Sequence, residues 1–349
     1  MTAIRVAVVG VGNNASALLQ GWALARRDQS SVLGSPDTLA GYRISDIEWV
    51  AAFDISSGKI GKDLAEAIHA QPNNFPKLEP VPLLGVVVES APVLDGLTES
   101  TSSWVPVIDG APSDVEFYSD SIRNKAVDVL VNLTPAGSAA VATFWAEVAL
   151  AAKCAFVNAP PDAIAQDPAM RARFLEAGLP LLGDDLESQM GATVIHRAIL
   201  DTLHAKGLRV CGSYQINVGG NMDFRNLATR GESKRESKLR GLGVGGQEAE
   251  VYVVPSGGVF PFLGDHKVAH IRVDALGWLG QTNTVDIRLE INDSCSAATA
   301  LADLIRIAKY ELSQGTAGIV PEAGFYFKSA VNKKDLESAR HDREKYLSE

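Results

Sequence analysis

Residues 4–16, Ile4-Arg5-Val6-Ala7-Val8-Val9-Gly10-Val11-Gly12-Asn13-Asn14-Ala15-Ser16, decide how the chain folds. Residues 4–9 are apolar and β-branched almost without a break, the pattern of a strand covered on both faces of a parallel sheet. Gly10-Val11-Gly12 interrupts the run, and ALLQGWALARR continues with helical periodicity. A strand, a glycine turn and a helix together aim helix N-terminal N–H groups at an anion. The spacing G-x-G-x-x-A, with Ala15 in the third glycine place, is an allowed form of the dinucleotide-binding turn. The same spacing also serves as a tight turn with no ligand.

Downstream, IEWVAAFDI reads as the second strand, with Asp54 at its carboxyl end. A dinucleotide-binding fold puts there the acid that bonds the ribose 2′-OH, and that acid disfavours a 2′-phosphate, so NAD is expected over NADP. Asp54 lies 42 residues beyond Gly12. The usual gap is about 20, so an insertion around residues 29–43 separates helix from strand. The competing reading makes Asp54 a cap for the next helix. Residues 71–120 are Pro-rich and show no period that places an element. DVLVNLTPAGS with AAVATFWAEVALAAK, then CAFVNAPP, then LPLLGDDLESQMGATVIHRAIL, repeat the strand–turn–helix unit. They leave Asn132, Thr134, Pro135, Ser138, Asn158, Asp184, Asp185, Ser188 and Gln189 at strand ends, where open α/β sheets bind ligands. The expectation is an α/β fold, a doubly wound parallel sheet through about residue 204.

After residue 205 the pattern changes. LRVCGSYQINV, EAEVYVVPS, HKVAHIRVDALGW and NTVDIRLEIND alternate apolar and polar, as in a sheet with one covered face. A mixed or antiparallel unit over 205–293 is expected, followed by the helix ATALADLIRIAKYELSQG and a charged terminal helix.

The net charge of −10 and pI near 5.2 argue against nucleic acid as a partner. An anionic substrate would need a local cationic pocket. Three separated cysteines without a CxxC pair suit a reducing compartment. No basic leader precedes the first strand, and no apolar run reaches the ~18 residues of a membrane span. A cytoplasmic protein with no membrane contact is therefore expected.

Several side chains stand out. Gln215–Lys238 reads as a strand ending in Gly219-Gly220, then Asn221 and Asp223, then Lys234 and Lys238 on one helix face. With Glu232 and Glu236 interleaved, a solvated surface helix is the plainer reading. Lys267 starts a strand. Lys309 falls on the apolar stripe of Leu301 and Ile305, where a lysine is either buried and paired or snorkels to solvent, and a desolvated lysine has a lowered pKa suited to proton transfer. Asp184, Asp185, Asp223 and Asp293 offer hard oxygen ligands for a divalent cation, each also readable as a cap or surface ion pair. His266 and His270 read as structural. No nucleophile elbow or Cys/His pair indicates a hydrolase.

Read together, GVGNNASALLQG, FVNAPP, GDDLESQMGAT, NVGGNMDF, ESKRESK and the DHK…NDS…AAK tail resemble the bacterial and archaeal myo-inositol-1-phosphate synthase family almost end to end. The resemblance implies a Rossmann-like NAD domain over 1–204 and 294–349. Inserted in it is an α+β catalytic and tetramerisation domain over 205–293, in a homotetramer. It implies a redox-neutral isomerase using bound NAD, which cyclises glucose 6-phosphate to inositol 1-phosphate through oxidation at C5, a C6–C1 aldol and re-reduction. By the family pattern Lys234, Lys238, Lys267, Lys309, Asp185 and Asp223 are catalytic, with Lys309 and Lys238 moving protons. Gly10, Gly12, Asn13, Asn14, Asp54, Pro135, Asp184 and Asp293 hold NAD, and Asp293 marks where a divalent or monovalent cation could sit. Ser188, Gln189, Asn217, Gly220 and Asn221 seat substrate. The chain departs from the pattern at Glu187, where a lysine is usual, at PSGGVFPFLGDHK and at VNLTPAGS. These changes imply altered substrate choice, with fructose 6-phosphate closing to a five-membered cyclitol phosphate as the alternative. A non-catalytic NAD-binding regulator would have lost the lysines, which are present.

Overall fold

The computed structural model describes residues 3–108, 110–242, 250–331 and 333–348. In chain order the first part runs β1 (Ile4–Val9), α1 (Asn13–Arg27), β2 (Ile47–Asp54), α2 (Leu64–Ala67), β3 (Val88–Ser90), α3 (Glu99–Ser102) and α4 (Val115–Asn124). It continues with β4 (Val129–Asn132), α5 (Ala139–Ala152), β5 (Ala155–Asn158), α6 (Pro168–Ala177), β6 (Pro180–Leu182) and α7 (Ala192–Ala205). Then come β7 (Arg209–Gly219), α8 (Met222–Gly241), β8 (Glu250–Val254), β9 (His266–Leu276) and β10 (Thr282–Asn292). The chain closes with α9 (Asp293–Gln314), β11 (Gly318–Ile319) and α10 (Leu336–Lys345). Glu248 and Ala249, the start of the expected strand EAEVYVVPS, lie outside the described residues.

Seven strands form a parallel sheet in the order β11-β6-β5-β4-β1-β2-β3. Alternate residues of β1 feed two separate cores. Ile4, Val6 and Val8 pack with α1 and α9, while Ala7 and Val9 pack with α5. Burial on both faces is why this strand shows no polar alternation. Strand order reverses between β1 and β4, so a crevice opens at their carboxyl ends. The insertion after α1 docks on α9 through the fully buried Arg306, which donates to Pro36 O at 3.0 Å, Ser35 Oγ at 2.6 Å and Asp303 at 2.6 Å.

The second sheet has the order β10-β9-β7-β8, antiparallel except between β7 and β8. Leu200, Leu242, Val253, Ile271 and Val273 form the core under its covered face. Leu200 belongs to α7, and this corrects the sequence reading. Read from sequence, α7 completed the last unit of the doubly wound sheet, yet its apolar stripe lies on β7 and β9. A helix stripe cannot reveal which sheet it will cover. The other face of this sheet leaves Ile216, Tyr252 and Val254 exposed. The 22-residue helix α9 leaves β10 directly and buries Leu301, Leu304, Ile305 and Ile307 in the core beside β1. Among the described residues no helix is long and apolar enough to cross a membrane.

Candidate active site

The crevice between β1 and β4 begins with Gly10. Its φ of 87° is in the left-handed region, and a Cβ there would stand 2.8 Å from Leu133 O. Only glycine lets the turn come this close to β4. Gly12, the N-cap of α1, faces open space and makes no side-chain capping bond, so it leaves the first N–H groups of α1 without a side-chain cap. Gly10, Gly12, Asn14, Asp54, Lys59 and Pro135 line a cavity of about 260 Å³. Asp54 accepts from Val11 N at 2.7 Å, Ser56 N at 2.8 Å and Lys59 Nζ at 3.3 Å. A carboxylate has about four acceptor positions, so these three bonds leave one unused. An open helix N-terminus and a partly free acid fit a dinucleotide's pyrophosphate and ribose.

A second cavity, about 120 Å³, adjoins the first and shares Asn14, Leu133, Thr134, Asp223 and Asp293 with it. Two of its four lysines come from α8. Asn221 caps α8 by accepting from Asp223 N and Phe224 N. The helix kinks at Arg230 (φ −120°, ψ 29°), whose guanidinium donates to Leu97 O at 3.0 Å and Ser138 Oγ at 3.2 Å. Beyond the kink, Lys234 and Lys238 turn into the cavity, while Glu232 pairs outward with Arg235. Lys267 arrives from the start of β9 and Lys328 from the segment after β11. Lys234 Nζ lies 2.7 Å and Lys328 Nζ 3.0 Å from Asp185 Oδ1, and Ser237 Oγ donates to Asp185 Oδ2 at 2.5 Å. Lys267 pairs with Asp293. Among the described residues, the buried side chain of Lys238 makes no hydrogen bond or ion pair.

These surroundings set the protonation states. Burial pushes the Lys238 ammonium well below its ordinary pKa, and the charges of Lys267, Lys234 and Lys328 push it further. Burial opposes the charge on Lys234 as well, but Asp185 and Asp223 outweigh it and raise the pKa. Burial would raise the Asp185 carboxyl, yet Lys234 and Lys328 hold it below the carboxylate range. Asp223 is raised by burial. Two lysines one helical turn apart are thus driven in opposite directions, which is how a site separates a proton acceptor from a fixed cation. Asp185 itself sits at φ 56° and is completely buried, an uncommon backbone state for a non-glycine residue.

A family model described as myo-inositol-1-phosphate synthase matches residues 191–294, the segment carrying Asp223, Lys234, Lys238, Lys267 and Asp293. The inositol-3-phosphate synthase of Corynebacterium glutamicum is 37% identical over 99% of this chain and 98% of its own. That of Mycolicibacterium smegmatis is 38% identical over 95% and 94%. The chain belongs to the myo-inositol-1-phosphate synthase family. The crystal structure of Ari2 is 36% identical and superposes with a TM-score of 0.80 over 99% of this chain and 98% of that one.

Several residues that the family pattern suggested lie elsewhere. Lys309 is remote, because its Nζ pairs with Asp128 Oδ1 at 2.7 Å, just before β4 and at the amino end of the parallel sheet. It is 16 residues along α9 from Asp293, about 24 Å by helical rise. Lys328 completes the lysine set instead. It stands alone in GFYFKSAV, and that isolated cation in an apolar run is the only signal the sequence offered. Asp184 does not line the cleft. Its buried carboxylate accepts from Ile164 N, Ala165 N, Gln166 N and Asn158 Nδ2, tying strand ends together, while burial raises its pKa to about 6. Asn217 is turned aside to Val254 O and Gln215. Gln189 donates to Gly34 O at 2.6 Å, in a neighbouring cavity. Gly220 has a packing role, since a Cβ would stand 2.6 Å from Phe260 O. Ser188 lines the lysine cavity, and Asn13 and Asn221 line the cleft. Glu187 also borders the lysine cavity but is neutralised by Lys333 Nζ at 2.6 Å. Among the described residues no group of three His, Cys, Asp or Glu is placed to hold a metal ion, and Asp293 is engaged by Lys267.

Proposed function

We propose that the protein cyclises glucose 6-phosphate to an inositol monophosphate, with NAD in the glycine-turn cleft and the sugar phosphate in the lysine cavity. What NAD supplies when bound is reversible hydride exchange at one sugar carbon, which acidifies the adjacent C–H and leaves no net redox change. Lys238, its ammonium form disfavoured, takes the proton from the adjacent, acidified carbon. Lys234, held as an ammonium by Asp185, stabilises the developing oxyanion as the aldol bond closes. Lys267 and Lys328 seat the phosphate. The carrying observation is Lys234 paired with Asp185 one helical turn from a Lys238 side chain with no such partner, in one cavity that opens on the cleft.

The full-length relatives named inositol-3-phosphate synthase, at 35–38% identity, favour glucose 6-phosphate over a ketose. Because Lys333 neutralises Glu187, the charge reversal there adds no free anion to the cavity. We read the open face of the second sheet, with Tyr214 beside Tyr252 and Ile216 beside Val254, as a subunit contact of a homotetramer. A reducing, cytoplasmic setting accords with three free cysteines.

The test is incubation of purified protein with NAD and glucose 6-phosphate, followed by phosphorus NMR of the products. A cyclitol monophosphate without net NADH is expected. Steady NADH accumulation would overturn the cyclase, and product from fructose 6-phosphate alone would overturn the substrate.

A further inference from the structure

Asp265, in the turn just before β9, is only 2% exposed and belongs to neither cavity lining described above. Its Oδ1 accepts from Asn13 Nδ2 at 2.7 Å, Asn221 Nδ2 at 3.0 Å and Ser294 Oγ at 2.9 Å. Its Oδ2 accepts from Ser294 N at 3.0 Å. Asn13 opens α1, Asn221 caps α8 and Ser294 is the second residue of α9. One carboxylate therefore ties together the starts of three helices drawn from both sheets, each start carrying partial positive charge. Beside each partner stands a residue that lines both cavities: Asn14, Asp223 and Asp293.

A second path closes the arrangement. Asn13 Oδ1 accepts from Asn74 N at 3.0 Å and Phe75 N at 3.2 Å, and Asn74 Nδ2 donates to Gly220 O at 3.2 Å. Asn221, Asp265, Asn13, Asn74 and Gly220 thus form a ring that spans the seam between the glycine turn and α8. Generic packing across the seam would not need a buried charge on the Asn13 amide, the Asn221 amide and the Ser294 hydroxyl together.

We infer that Asp265 is a positioning residue that locks the dinucleotide turn, through Asn13, to the start of the lysine-bearing helix, through Asn221, so that dinucleotide affinity and the geometry of the sugar-phosphate cavity are set together. This rests on the dinucleotide reading of the cleft. Asp265 holds the glycine turn through Asn13, and Asn221 and Ser294 at the same cleft as well, so its removal already includes the loss that removal of Asn13 causes.

A double-mutant cycle on NAD affinity, measured by calorimetry with the full-length protein, tests this. Asp265→Ala and Asn13→Ala are each expected to weaken NAD binding roughly tenfold, the value of one charge-assisted hydrogen bond. The double variant is expected to bind as the weaker single variant does. Asp265→Asn keeps one acceptor oxygen and should recover part of the loss. It replaces Asp265→Ala in the cycle if that variant does not fold. Additive losses, or unchanged affinity in the Asp265 variants, would overturn the assignment. If the unsubstituted protein binds no NAD, the dinucleotide reading itself fails before any variant is compared.

Discussion

The two ends of the parallel sheet each hold a lysine 2.7 Å from an aspartate: Lys234 with Asp185 at the carboxyl end, Lys309 with Asp128 at the amino end. The contact is the same, and its surroundings decide what it does. Asp185 is completely buried and shared by Lys234, Lys328 and Ser237, with unpaired Lys238 in the same cavity. Asp128 accepts from Lys309 and from Arg5 N, and both side chains of its ion pair keep some exposure, 15% and 19%. The carboxyl end collects more cations than it has fixed carboxylate partners. The amino end balances its charges one to one. An ion pair alone marks no site; convergence of unequal charge beside an open cavity does.

The contrast is most sharply tested by turnover. Lys234→Ala, Lys238→Ala and Lys328→Ala should each cut turnover by about 10²–10⁴, the range for a positioned acid, base or oxyanion donor, with NAD still bound. Lys309→Ala should stay within about twofold of the parent. Steady-state kinetics with glucose 6-phosphate measures both arms, and a large loss in Lys309→Ala would return that residue to the site.

Stability gives the next effect. Asp185→Asn removes a completely buried carboxylate shared by Lys234 and Lys328, so urea unfolding should show a loss of about 3–5 kcal/mol. The same change at Asp128 removes a partly exposed pair and should cost about 1 kcal/mol or less. Equal losses would erase the distinction between the two ends.

A third experiment follows the pH dependence of kcat/KM. Because the Lys238 ammonium is disfavoured, its neutral form accumulates below the ordinary lysine range, and activity should rise with pH through a limb located below 10.5. Lys267→Gln removes a neighbouring positive charge, which favours Lys238 in its protonated state, so the limb should shift to higher pH. A limb that stays in place would detach Lys238 from the proton transfer. The smallest effect belongs to Lys309→Ala on stability, about 1 kcal/mol or less by thermal unfolding.

Periodic and local signals were legible in the chain. The unbroken run of β1 requires burial on both faces, and Gly10 answers to a φ of 87° and the approach of Leu133, so strand, turn and helix could be read from residues 4–27. The alternation after residue 205 likewise marked a sheet with one covered face. The ESKRESK run marked Lys234 and Lys238, because helical spacing alone puts residues four apart on one face.

What lay beyond the sequence was every choice between distant partners. Lys309 and Lys328 both stand in apolar runs, and nothing local says that one will meet Asp128 and the other Asp185. Asp184 and Asp185 are adjacent, yet the first is spent on the backbone of residues 164–166 while the second holds the lysines. The stripe of α7 gave its helicity but not the sheet it covers. Backbone preference and burial pattern act over a few residues and are written in the chain directly. Charge pairing, desolvation and a shared carboxylate such as Asp265 depend on which segments the fold brings within 3 Å, and those distances exist only in the tertiary structure.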